Sequence, residues 1–174
     1  MEGEFAAAVA RWQNFETLAG SIAATLLGLL FVAVSIRPAL FSQENHVAFL
    51  TVAAKSMGLF MLVALMALVL QIPDIKPDSM GIVLGIMAVI SIFNTMQQVA
   101  AMRPILNEWG LLFLVRRVLL PALGYAGLLL ASVALYNGDV RWLSLLGGTQ
   151  ILFLFTGTYN AWDLLIRLGR DKTG

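Results

Sequence analysis

Apolar residues fall along this chain in five long runs, each closed by a short polar break, and the runs predict five helices. The first is the plainest. Thr17–Ile36 (TLAGSIAATLLGLLFVAVSI) carries no charge and ends at Arg37-Pro38. As a helix it is about 30 Å long, one bilayer hydrocarbon thickness. With Phe15 and Glu16 ahead of it, the predicted span is 15–36. The second span, 48–71, holds Lys55 and then the almost purely aliphatic stretch GLFMLVALMALVL (58–70). It reads as lipid-facing or deeply packed. The short, two-proline turn IPDIKPDS predicts that the second and third spans are antiparallel neighbours.

The third span, 79–102, opens with Gly81 and Gly85 at a spacing that permits close helix approach, and Arg103-Pro104 closes it. Residues 105–117 are too short and too charged to cross. They predict an interfacial helix with Trp109 near the headgroups. The fourth span, 118–136, has Pro121 in its first turn, where proline is tolerated, and stops at the turn signature Asn137-Gly138-Asp139. The fifth is 141–166. Residues 1–14 place Phe5, Val9 and Trp12 on one helical face and predict a short interfacial lead-in, with Trp12 and Phe15 at headgroup depth. Glu2 and Glu4 ahead of so long a run do not read as a cleaved signal.

Composition agrees with the pattern. The chain is 60% hydrophobic and 12% charged, against about 25% charged in a soluble domain. The runs nearly consume residues 1–174, so the expectation is a single integral membrane domain: all-α, a polytopic transmembrane helical bundle. Five spans put the termini on opposite sides. Arg11, Lys76 and Arg141 then share the N-terminal side. Arg37, Arg103, Arg116, Arg117, Arg167, Arg170 and Lys172 share the other. The positive-inside rule places the N-terminus out and the C-terminus in.

The polar positions inside the runs are the candidate functional residues. Thr17, Ser21 and Thr25 repeat at i+4 beside Gly20, Ala24 and Gly28, which suggests helix packing or the outer part of a pore. Ser91, Asn94 and Gln98 share a face of the third span with Met87. Gln150, Thr156, Asn160 and Asp163 recur along the fifth, beside Thr149. Such groups either line water or bond between helices, at about 0.6–2 kcal/mol per contact. Ionisable groups inside a membrane face protein or water. Lys55 and Asp163 fall at the same predicted end and can pair. Glu16 falls at the other end, with Arg141 or a charge of another subunit as its expected partner. A ring of Glu16 carboxylates at an oligomer mouth would attract cations. The second and fourth spans are nearly bare of polar groups and read as an outer wall.

Other chemistry is poorly supported. There is no cysteine, and His46 is the one histidine, so no metal site or cofactor is expected. The motifs of metalloproteases, serine hydrolases and phosphate-binding loops are absent. Catalysis is not expected, and an enzyme acting on lipid would need clustered acids. A net charge of +1 does not suggest nucleic-acid binding.

The run GLLFVAVSI (28–36), preceded by FETLAGSIAATLL (15–27) with Trp12 and Phe15 just ahead, resembles the opening helix of a family of small bacterial integral membrane proteins. Some of its members are labelled modulators of the FtsH protease. The resemblance covers about the first 37 residues. It implies a bacterial inner-membrane location, multi-pass, and assigns no functional residue. The leading expectation is a homo-oligomeric ion channel, with cations as the candidate inorganic ion and the lipid bilayer as its setting. The alternative is a non-catalytic membrane regulator or assembly partner of another membrane protein.

Overall fold

The computed structural model describes residues 2–36, 46–106 and 118–170, with side chains described at 3–36, 52–97 and 118–163. These residues form α1 (Glu2–Ser35), α2 (His46–Leu70), α3 (Pro77–Leu106), α4 (Leu120–Tyr136), a 3-10 turn (Val140–Trp142) and α5 (Leu143–Arg170). The fold is an all-α, multi-pass membrane bundle. Gly3–Ser35, Val52–Leu70 and Pro77–Gln97 are each long and apolar enough to cross a membrane, and Leu120–Tyr136 is a shorter apolar helix. The predicted interfacial helix 105–117 lies almost wholly outside the described residues; only Ile105 and Leu106 are seen, as the end of α3.

Local chemistry sets the breaks. The α2–α3 turn uses Asp74 at φ 51, in the left-handed region that aspartate tolerates. Pro77 then starts α3, where the missing N–H costs nothing. At the end of α4 the chain reverses through Gly138, at φ 79. Its N–H donates to the Leu135 carbonyl at 2.8 Å, and the Asp139 N–H donates to Ala134 at 3.0 Å. This is a Schellman ending, which satisfies carbonyls the helix leaves open. The Asp139 carboxylate caps the 3-10 turn by accepting from the Arg141 N–H at 3.2 Å.

Helix contacts fix the arrangement. Gly20 faces Ala67 and Thr17 faces Gln71, so α1 and α2 are antiparallel. Trp12 lies over Gly147 and Glu16 meets Gln150, so α1 and α5 run parallel. Gly81 faces Ser132 and Tyr136, while Thr95 reaches Tyr125, so α3 and α4 are antiparallel. The helices pack in the sequence α1, α2, α5, α4, α3, and α3 touches α2 only lightly.

Three expectations change. The lead-in is not a separate interfacial helix: α1 is continuous over 34 residues. Phe5 and Ala8 are buried, and Val9, Trp12 and Phe15 pack on the core, so the predicted face meets protein instead of headgroups. Trp12 and Phe15 stack edge-on at 5.4 Å. The short turn does not make α3 a close neighbour of α2. Gly81 lets α3 come nearer to the α4 backbone than an alanine would, and Gly85 faces Ser132 beside it. Nor is α2 an outer wall. Its spanning window is 56% buried, against 17% for α1 and 22% for α3. Phe60, Val63 and Met66 are buried while Met61, Leu65 and Leu68 are exposed, so the run is aliphatic on every side because one face meets protein and the other lipid.

Candidate functional site

The buried polar groups concentrate on one face of α5. Thr149, Gln150, Thr156 and Asn160 are all buried there, interleaved with Leu146, Phe153 and Gly157. Small residues on the facing helices make the seam tight. A methyl group at Gly124 of α4 would collide with the Phe153 ring.

At the first-turn end of this seam lies Glu16, which is 1% exposed although it sits on α1, the least buried of the three long apolar spans. The Gln150 Nε2 donates to Glu16 Oε2 at 2.7 Å, a length typical of charge-assisted or strong hydrogen bonds. Among the described residues, Glu16 Oε1 and Gln150 Oε1 have no partner. The expected partner of Glu16, Arg141, instead lies 3.3 Å from Asp139 on the exposed end turn. Burial against α5 keeps Glu16 inside the chain's own bundle, away from Arg141.

The remaining predicted residues divide into four groups. Thr17, Ser21 and Thr25 form an exposed row on α1. Ser21 and Thr25 donate to the carbonyls of Thr17 and Ser21 at 2.7 and 2.8 Å. The Thr17 hydroxyl lies 2.9 Å from the Gln13 carbonyl and 3.3 Å from Gln71 Oε1. Ser91 is half-buried and donates to Met87, also within its own helix, while Asn94 is exposed. The Gln98 side chain lies outside the described residues. Thr156 donates to Leu152 at 2.7 Å, and the buried Asn160 Nδ2 has no partner among the described residues. Lys55 and Asp163 are half-buried and each is partnered. The Phe60–Gly157 contact sets the α2–α5 register, which puts these two charges at the same level.

Sequence reasoning missed the Glu16–Gln150 pair, which joins residues 134 positions apart. It also missed Ser132 of α4, buried opposite Gly85, and Tyr125, whose hydroxyl meets Thr95 at 3.3 Å. The small residues facing Ser132 were the available signal. Nothing in the pattern marks which amide meets the acid.

No protein-family model, curated protein or solved structure matches the chain. At the end carrying both turns, a cleft of about 720 Å³ is lined by Glu4, Phe5, Lys76, Asp78, Tyr136 and Arg141. Among the described residues, no three acidic, histidine or cysteine side chains gather to hold a metal ion. The chemistry on offer is hydrogen bonding within the bilayer, with one buried acid.

Proposed function

We propose that the chain is a non-catalytic membrane protein that regulates or assembles with another membrane protein through its helix faces. The observation that carries this reading is the way the polar residues are spent. Most of those inside the bundle bond to their own helix or to each other: Thr149 to Leu146, Thr156 to Leu152, Ser132 to Leu129 and Gln150 to Glu16, with the Asn160 amide nitrogen the exception among the described residues. Those outside, Thr17, Ser21 and Thr25, leave a row of small side chains whose hydroxyls are satisfied by the α1 backbone. Such a row lets another helix approach closely without leaving a hydroxyl stranded in lipid.

A bacterial inner-membrane location, five crossings, and an N-out, C-in orientation belong to the same proposal. They rest on the apolar runs, the basic-residue bias and the resemblance of the first helix. The homo-oligomeric channel is the competing reading, and it needs the exposed rows of α1 and α3 to face a common path between subunits. A photo-crosslinking residue at Thr25, compared with one at Leu130 on the exposed side of α4, separates the two in native membranes. The regulator reading expects a defined adduct with a different membrane protein from Thr25 and none from Leu130. Self-adducts from Thr25, together with ion flux in liposomes holding verified protein, would favour the channel.

A further inference from the structure

We propose that Glu16 and Gln150 form a proton-binding site, in which a carboxylic acid and an amide share two parallel hydrogen bonds. One of these bonds is already in place, Gln150 Nε2 to Glu16 Oε2 at 2.7 Å. The two atoms left over are both acceptors, Glu16 Oε1 and Gln150 Oε1. Both side chains are more than nine-tenths buried, at 1% and 0% exposure.

Two buried acceptors with no donor among the described residues are a costly arrangement. A single hydrogen on Glu16 Oε1 resolves both at once, because it converts that atom into a donor toward the amide oxygen. The proton comes from water and forms one O–H bond. The result is a neutral cyclic pair between α1 and α5, in place of a bare carboxylate inside the bundle.

The surrounding charges leave this role to the proton. On α1, Arg11 is exposed. On the end turn, Arg141 is engaged with Asp139. At the end of α2 the polar group opposite this part of α1 is Gln71, an uncharged amide beside Thr17. On α5 the facing group is Gln150 itself. A calcium or magnesium ion would take about six oxygen ligands, and no cluster of acidic or histidine side chains is present among the described residues to supply them. A proton needs only two oxygens.

Infrared spectroscopy tests the site in the intact protein, reconstituted in lipid at pH 7 with carbon-13-labelled glutamate. The expected spectrum contains a protonated-carboxyl stretch that moves with the label and again in deuterated water. Glu16→Gln, which keeps the shape and replaces the acid with a second amide, removes that band. Glu16→Asp retains an acid but returns its band to the unlabelled position, and it covers the case in which Glu16→Gln fails to fold. A wild-type spectrum with carboxylate bands alone overturns the proposal. So does a protonated band that persists at full intensity, at its labelled position, in either variant.

Discussion

At Gly81 the helix surface has room for a hydrogen and no more. A methyl group there would stand 2.6–2.7 Å from backbone atoms of Tyr136 and Ser132, and backbone cannot rotate out of the way. Gly81→Ala should therefore force α3 away from α4 and destabilise the protein by about 1–3 kcal/mol. Gly28, with nothing within 4 Å of the same methyl, is the control, and Gly28→Ala should change stability by no more than about 1 kcal/mol. Thermal unfolding in detergent, followed by circular dichroism, reads both. The Glu16–Gln150 pair makes a different prediction. Either Glu16→Leu or Gln150→Leu strands the polar groups of the other residue, at a cost of about 1–3 kcal/mol. Changing both removes the stranded groups together. The double variant should lose less stability than the two single losses added, and simple additivity would mean the two side chains do not support each other.

A helix reads differently from a residue, because neighbours decide what a face is for. The Thr17, Ser21 and Thr25 hydroxyls all bond to carbonyls one turn back in α1, and those carbonyls keep their backbone donors. Replacing all three with alanine should leave thermal stability within about 0.5 kcal/mol per site. A larger loss would mean the row is packed inside an assembly of the purified protein. The same row shows how far pattern reaches. Spacing at i+4 put the three residues on one face, correctly, but that spacing is shared by hydroxyls that bond across helices and by hydroxyls that bond their own backbone. Gly81 and Gly85 were legible as a close-approach surface, while its partner was not, since a short turn joins α3 to α2 and the small residues fit α4. The aliphatic stretch of α2 was ambiguous for a related reason. Lipid and a protein interior are equally apolar, so a run without polar residues does not tell outer wall from centre. Glu16 and Gln150 were each recognisable as costly groups inside a membrane. Their meeting depends on the parallel register of α1 and α5, which no local feature records.

For the whole molecule, the open quantity is how often the chain crosses. The helix that decides it is α4, at 17 residues the shortest of the five. About 25 Å of helix is short for a full crossing. Its contacts nevertheless run along most of its length: Tyr136 and Ser132 meet Gly81, Tyr125 meets Thr95 on α3, and Tyr125 also meets Phe153 on α5 at 5.2 Å. A helix held between α3 and α5 over that distance travels as they do, and α3 is long and apolar enough to span. With the five crossings proposed above the count is odd, and the proposed orientation, from the basic-residue bias, has the end carrying the α2–α3 turn outside. With no native cysteine in the chain, single-cysteine labelling tests this cleanly. Ser79→Cys is an isosteric change at an exposed position in the first turn of α3. It should react with a membrane-impermeant maleimide in intact cells. A cysteine appended after Gly174 should react only once the membrane is opened. Reaction of both in intact cells would mean an even number of crossings, with α4 or α5 turning back before it reaches the far side. The reverse pattern would keep five spans and invert the orientation, placing the cleft between Lys76 and Arg141 inside the cell.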